Sequence, residues 1–86
     1  MWRLDRPGAL LQLLGELMMR LHERPLAPRE KEILYWFAQG KTDRETASIL
    51  GISPKTVETY SVHIYLKLDV HNRAQAVAEG FRKGIL

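Results

Sequence analysis

Apolar residues along this chain recur at steps of three and four, the spacing that places them on one face of an α-helix. No stretch alternates apolar and polar residues as a half-buried strand would, and the apolar segments end at glycine and proline. A proline-containing stretch at residues 24–28 divides the chain. The pattern predicts an all-α protein with an N-terminal arm and helix in residues 1–24 and a second helical part in residues 25–86.

The first predicted helix, residues 8–23, is rich in leucine and methionine and has no β-branched residue. One apolar stripe at three- and four-residue steps consists of Leu11, Leu14, Met18 and Leu21. Further leucines widen this stripe, so we expect the apolar face to pack against another surface. Two possibilities stay open: the face packs on its own chain, or part of it forms a dimer interface.

Residues 25–86 are predicted to form four more helices, at about 28–39, 42–50, 54–69 and 72–84. Residues suited to helix ends stand at the expected places: Pro28, Gly40, Thr42 with Glu45, Gly51, Ser53, Asn72 and Gly84. On the first of these helices we expect Arg29, Glu30 and Glu32 to face solvent. Its buried side is expected to consist of Ile33, Leu34, Phe37 and Ala38.

The helices at 42–50 and 54–69 carry a spacing that is typical of a helix-turn-helix. Ala47 is small where the two helices touch, and Gly51, four residues later, supplies the turn. Ile52 fills the space between the helices, and Val57 points inward from the second one. The spacing predicts that this second helix runs from about residue 54 to 69.

Composition narrows the function classes. The 86 residues make one small domain, and the absence of cysteine excludes disulfides and thiolate metal sites. The net charge of +3 favours an anionic partner, but weakly. His22, His63 and His71 do not share a helix face at ligand spacing, and no catalytic arrangement or glycine-rich phosphate loop occurs. We therefore expect no metal, no cofactor and no enzymatic activity.

The N-terminus does not read as a signal peptide, because Asp5 and Pro7 interrupt it early. No apolar run is long enough to span a membrane. The expected location is the cytoplasm.

One set of residues is specific enough to compare with a known family: Pro28-Arg29-Glu30, Ile33-Leu34, Ala38-x-Gly40-Lys41-Thr42, Glu45-x-Ala47, Leu50-x-Ile52-Ser53-Pro54-Lys55-Thr56-Val57-Glu58-Thr59, Ile64, Lys67-Leu68-x-Val70-x-Asn72-Arg73 and Ala76-Val77. Over about residues 26–86 the chain resembles the LuxR/GerE-type DNA-binding domain. The resemblance implies a four-helix domain that binds double-stranded DNA, usually as a dimer on a two-fold-symmetric site, and regulates bacterial transcription. It also implies that the helix at 54–69 enters the major groove and that Glu30, Leu34 and Gly40 support the fold. The short chain looks like a stand-alone member of the family, without a receiver or signal-binding domain.

The candidate DNA-binding residues are Thr42, Ser53, Lys55, Thr56, Glu58, Thr59, Val62, His63 and Lys67. By resemblance, the positions of Glu58, Thr59 and Val62 approach base edges. Glu58 could accept a hydrogen bond from a cytosine amino group, and Thr59 and Val62 could touch a thymine methyl. Lys55 and Lys67, at the two ends of the helix, suit phosphates, as do the helix N-termini capped by Thr42 and Ser53. Glu58 and the lysines could equally be ordinary solvated side chains.

The chain departs from the family at several positions. Ala27 stands where the family often has Thr or Ser, which removes a side-chain cap worth about 1 kcal/mol. The family commonly has His at the position of Tyr60 and basic or amide residues at the surface positions of Ser61, Val62, His63 and Leu66, and this surface has lost most of its cations here. The helix at 54–69 carries Lys55 and Lys67 against Glu58 and Asp69 and is formally neutral. Because phosphate contacts dominate the affinity for DNA, we expect it to bind DNA less tightly than its relatives do.

Candidate dimerisation residues are Leu11, Leu14, Met18, Leu21, Val77 and Phe81, the last two on the helix through which the family usually dimerises. The sequence thus predicts a sequence-specific DNA-binding transcription regulator that acts as a homodimer. An alternative stays open: a module that pairs with another regulator through its N-terminal helix and an exposed Val62/Leu66 pair, and binds DNA weakly or not at all.

Overall fold

The computed structural model describes residues 8–86, apart from the side chains of residues 21–23. Five helices follow one another: α1 (Ala9–Glu23), α2 (Pro28–Ala38), α3 (Asp43–Leu50), α4 (Pro54–Leu68) and α5 (Arg73–Arg82). Residues 8–86 contain no strand. The all-α fold class is therefore confirmed, while residues 1–7 of the predicted arm lie outside the described part.

Local hydrogen bonds set the beginnings of three helices as the sequence predicted. At α3, the Thr42 hydroxyl accepts from the Glu45 N–H at 3.1 Å, and the Glu45 carboxylate accepts from the Thr42 N–H at 2.9 Å. Ser53 caps α4 by accepting from the Thr56 N–H at 3.1 Å. Asn72 caps α5 in the same way. Each cap satisfies a backbone donor that the helix leaves without a partner.

Two residues with positive φ end the helices of the helix-turn-helix. Gly51, at φ 70°, ends α3 in the left-handed conformation. Asp69, at φ 56°, ends α4 and is the one non-glycine residue with positive φ in the described chain. This conformation suits glycine and is tolerated by aspartate, so the turn at Gly51 and the end of the second helix near residue 69 agree with the prediction.

The hydrophobic core is built from α2 to α5 and the segment just before α2. Its buried members are Leu26, Ile33, Leu34, Phe37, Ala47, Val57, Ile64, Leu68 and Ala76. Ile52 and Tyr60 are partly buried against this core. The inward positions predicted for Ala47, Ile52 and Val57 are confirmed, and α3 packs against α4, as in a helix-turn-helix.

Several expectations about burial were wrong. Glu30 is only 3% exposed instead of facing solvent, and Ser61, counted among the surface positions of α4, is 6% exposed. The Ser61 hydroxyl donates to the Val57 carbonyl at 2.9 Å, which satisfies it inside the protein. Ala38, expected in the core, is only partly buried.

Helix α1 stands apart from this core. Among the described helices it contacts only α4. Six of its large apolar side chains stay open to solvent, from 38% exposed at Met18 to 74% at Leu11. The molecule is accordingly elongated, with extents of 49 × 28 × 19 Å. Within the described residues, no helix is both long and apolar enough to cross a membrane.

Candidate nucleic-acid interface

Helix α4 presents two different sides. Val57, Ile64 and Leu68 point into the core, whereas Glu58 and Val62 lie on the opposite, exposed side. Eight of the nine DNA-binding candidates are exposed: Thr42, Ser53, Lys55, Thr56, Glu58, Thr59, Val62 and His63. Seven of these eight lie on the outer side of α4 or at its N-terminus, and Thr42 lies at the start of α3.

The start of α4 combines a positive side chain with the positive end of the helix dipole. Lys55 has an 81% exposed side chain and lies 3.6 Å from the Glu58 carboxylate, which is itself 62% exposed. An ion pair this open to water holds its partners weakly, so the Lys55 ammonium is available to another anion. No acidic residue lies in the first turn of α4, and the positive end of the helix dipole adds to the local potential.

The start of α3 is electrostatically different. Asp43 and Glu45 both lie in its first turn. The backbone N–H of Thr42 and then its hydroxyl hold the pKa of Glu45 below its ordinary value. The carboxylate is charged and already occupies the donors there, so this helix end attracts an anion less than the start of α4 does.

Thr59 and Val62 form an apolar pair on the outer face. The Thr59 hydroxyl donates to the Lys55 carbonyl at 3.2 Å, inside the helix. The methyl group is therefore the part of Thr59 that is left for a ligand. Val62, three residues later, is 51% exposed. Leu66, which the sequence placed beside Val62 as an exposed pair, is instead partly buried.

Lys67 is held in an ion pair with the buried Glu30. Its Nζ lies 2.8 Å from Glu30 Oε1, and the two side chains are only 15% and 5% exposed. The same Oε1 accepts from the Ala27 N–H at 2.7 Å, and His63 Nδ1 lies 4.0 Å from Oε2. A buried carboxylate needs such partners to remain charged. The pair ties the C-terminal turn of α4 to the first turn of α2.

Glu30 also forms one half of a capping interaction at the start of α2. Ala27 has no side-chain acceptor, as predicted, and the Glu30 carboxylate supplies only the half of the capping interaction that binds the Ala27 N–H. A sequence signal for its burial existed. Glu30 precedes Ile33 and Leu34 by three and four residues, which places it on their side of α2.

Arg73 is a second long-range tie that the sequence analysis did not single out. Its guanidinium donates to the Lys41 carbonyl and to the Asp43 carboxylate, and it lies over the Phe37 ring with 3.8 Å between Cζ and the ring centroid. These contacts fasten the start of α5 to the loop before α3.

The dimerisation candidates divide into exposed and partly buried groups. Leu11, Leu14 and Met18 are 74%, 48% and 38% exposed, and Phe81 on α5 is 63% exposed. Val77 is partly buried against the core. The side chain of Leu21 lies outside the described residues. Across the described chain, no cluster of three or more His, Cys, Asp or Glu side chains could hold a metal ion.

Comparisons with known proteins agree with this geometry. The family model "Bacterial regulatory proteins, luxR family" matches residues 24–79. The chain is 43% identical over 63 residues to the uncharacterized response regulatory protein YgeK of Escherichia coli (strain K12), covering 73% of this chain and 43% of that protein. It is 48% identical over 61 residues to the HTH-type quorum sensing-dependent transcriptional regulator VjbR of Brucella abortus (strain 2308), covering 71% of this chain and 24% of that one.

Among solved structures, the response regulator ChrA of a heme-sensing two-component system is similar, with a TM-score of 0.69 and 38% sequence identity. The similarity covers 87% of this chain and 38% of ChrA, which is more than residues 25–86 alone could supply. Part of the N-terminal segment therefore has a structural counterpart in ChrA. The chain spans less than half the length of each of these three proteins.

Proposed function

This chain belongs to the luxR family of bacterial regulatory proteins, and we propose on that basis that it binds double-stranded DNA sequence-specifically, as a dimer in the bacterial cytoplasm, to regulate transcription. Members of this family are helix-turn-helix DNA-binding regulators and not enzymes. The observation that carries the proposal is the exposed outer face of α4, on a helix whose inner face is locked into the core.

We propose that α4 is the recognition helix and lies in the major groove, which is wide enough to admit an α-helix. The methyl group of Thr59 and the side chain of Val62 would then contact thymine methyl groups. Glu58 would accept a hydrogen bond from a cytosine amino group after leaving its weak pair with Lys55. His63, 53% exposed on the same side, would reach the groove edge.

Phosphate binding is proposed at the N-terminus of α4. Ser53, Lys55 and Thr56 are exposed there, and the first turn carries no acidic residue to repel a phosphate. Thr42 is a weaker candidate, because Asp43 and Glu45 lie in the first turn of its helix. For Lys67 we propose an indirect role, since its charge is neutralised by Glu30 and its position fixes the tilt of α4.

In a dimer, the contacts of two recognition helices would offset the lack of net positive charge on each one. In a symmetric dimer they contact half-sites about 34–36 Å apart, and both contribute to the binding free energy. Phe81 and Val77 on α5, together with the apolar face of α1, are the proposed contacts between the copies.

The test is selection of binding sites from random duplex DNA with the full chain, followed by titration of the selected site against salt. We expect a two-fold-symmetric consensus and an affinity that falls steeply as salt rises. Lys55→Ala should lower the slope of log affinity against log salt by about one for a lost phosphate contact. Glu32→Ala, an exposed change on α2, serves as the control and should leave the slope unchanged. The proposal fails if no duplex is enriched and none binds at low salt.

A second function is favoured by the exposed apolar face of α1. The chain would then be an interaction module that pairs with another transcription regulator. Absence of DNA binding at low salt, together with a stable complex with such a regulator, would support this alternative.

A further inference from the structure

We propose that His63 binds a backbone phosphate of the DNA through Nε2 and that this contact takes up a proton from solvent, so that the affinity for DNA depends on pH. This inference rests on the proposed function and deepens it, because it names the ligand and the charge state of one residue on α4. It starts from the carboxylate of Glu30, which lies beside the His63 ring.

Glu30 uses its two carboxylate oxygens differently. Oε1 accepts from the Lys67 ammonium at 2.8 Å and from the Ala27 N–H at 2.7 Å. Oε2 lies 4.0 Å from His63 Nδ1. A ring nitrogen that faces a carboxylate oxygen favours the tautomer with its hydrogen on that nitrogen. Nδ1 therefore carries the hydrogen of the neutral ring, and Nε2 is left for a ligand that approaches from solvent, where the side chain is 53% exposed.

The position of His63 on α4 suits a phosphate better than a base. With successive residues about 100° apart, Thr59 and Val62 lie about 20° and 40° from the direction opposite to the buried Val57. His63 lies about 60° from that direction, on the side of Thr59. In a helix that points its outer face at the groove floor, where the base edges lie, a residue on the flank faces the phosphates at the groove edge.

Phosphate binding at Nε2 needs a second proton on the ring. In the neutral tautomer described above, Nε2 accepts hydrogen bonds, and a phosphate oxygen offers none. A proton from solvent on Nε2 turns this atom into a donor to the phosphate, while Nδ1–H still faces Glu30. The positive ring then lies between two anions, and a nearby anion favours the charged form of a histidine. Binding of the phosphate and uptake of the proton therefore support each other.

The charged groups around His63 leave the phosphate as the decisive addition. Among the described side chains, Glu30 is the only carboxylate within 4.0 Å of the ring, and its charge is already neutralised by Lys67. The Tyr60 ring meets His63 edge-on, with 6.5 Å between the ring centroids. On α1, the charged side chains that the structure describes, Glu16 and Arg20, are of opposite sign. On α3 and α5, ion pairs join Asp43 to Arg73 and Glu79 to Arg82.

The pH dependence of DNA binding by the full chain tests this contact. The probe is a duplex of unselected sequence at low salt, because a phosphate contact carries no sequence information. Histidine changes its charge between pH 5 and 8, so we expect the affinity to be highest near pH 5. It should fall by about two- to fivefold towards pH 8, the size of one exposed ion pair. The slope of log affinity against log salt should also be steeper by about one at pH 5 than at pH 8.

Variants at two histidines separate this contact from general effects of pH. His63→Gln should have the same salt slope at pH 5 and pH 8. His71→Gln, in the exposed turn between α4 and α5, is the matched control and should keep the difference of the parent chain. His63→Lys stays charged at both pH values, so it should show the steeper slope at pH 8 as well. Circular dichroism at each pH checks that all variants are folded.

Proton uptake is measured directly by calorimetric titration in two buffers of different ionisation enthalpy. The parent chain and His71→Gln should take up more protons on binding than His63→Gln does. The contact is refuted if His63→Gln keeps the proton uptake and the pH-dependent slope of the parent chain, or if His71→Gln loses them equally.

The outcomes also separate this contact from the proposed function. A chain that binds the unselected duplex with this pH dependence but enriches no consensus refutes only sequence-specific recognition. A chain that enriches a consensus but has one salt slope at both pH values refutes only the His63 contact. A chain that binds no duplex at any pH refutes both.

Discussion

Lys67→Met is expected to destabilise the fold without removing a phosphate contact. Losing one member of a buried ion pair typically costs about 3–5 kcal/mol, because the other charge is left without its partner. Here Glu30 keeps the Ala27 N–H at 2.7 Å and has His63 at 4.0 Å. These remaining partners should reduce the loss to about 2–3 kcal/mol. Methionine keeps most of the side-chain volume, so the change tests mainly the charge.

Urea denaturation followed by circular dichroism measures this loss. Glu30→Gln should cost less, about 1–2 kcal/mol, because the long Lys67 side chain can turn its ammonium towards water. The double variant should be more stable than the sum of the single losses predicts, with a coupling of about 1–3 kcal/mol. In DNA titrations on folded protein, Lys67→Met should keep the salt slope of the parent chain, whereas Lys55→Ala should lower it by about one.

One combination of results would refute this reasoning. If Lys67→Met changes the unfolding free energy by less than about 0.5 kcal/mol and lowers the salt slope by one, Lys67 contacts a phosphate. The role first assigned to Lys67 from the sequence would then be correct, and the ion pair with Glu30 would contribute little.

Three further predictions concern bases, acid stability and the N-terminal segment. Thr59→Ala with Val62→Ala should change the selected DNA consensus, at about 1–3 kcal/mol for a good contact, and an unchanged consensus would exclude both from base recognition. Since hydrogen bonds from Thr42 lower the pKa of Glu45 from its ordinary value of 4.5, its contribution to stability is present above that pH and is lost as the pH falls through the lower folded value. Glu45→Gln should therefore flatten the acid loss of stability, and a profile parallel to that of the parent chain would contradict this. Removing residues 1–24 takes away the free energy that the dimer would gain by burying these side chains, about 1.5–3 kcal/mol for each complete leucine or methionine side chain. The product should stay folded but sediment mainly as a monomer and bind a palindrome less tightly; an unchanged dimer would show that the segment is not part of the interface.

The helices and the turn between α3 and α4 were predictable because their signals are local. Each cap or turn depends on residues within three or four positions of one another, so a short stretch of sequence is enough to predict it. The examples are Thr42 with Glu45, Ser53 with Thr56, and Gly51. The outward side of α4 followed from the helical periodicity, once Val57 was assigned to the core.

Partners distant in sequence were decided only by the tertiary structure. Glu30 and Lys67 are 37 residues apart, and Arg73 is 30 residues from Asp43, so their contacts depend on how the helices cross. The periodicity of α2 places Glu30 on the buried side of that helix. A charged side chain is stable in a buried position only if a partner of opposite charge contacts it, and for Glu30 that partner comes from another helix.

The same limit applies to α1. Its composition established that a wide apolar face exists and needs a cover, which is a property of the helix alone. How much of that face the rest of the chain covers depends on where α4 meets it. The structure leaves Leu10, Leu11 and Leu14 about half exposed or more, and no feature of residues 8–23 by themselves could decide that.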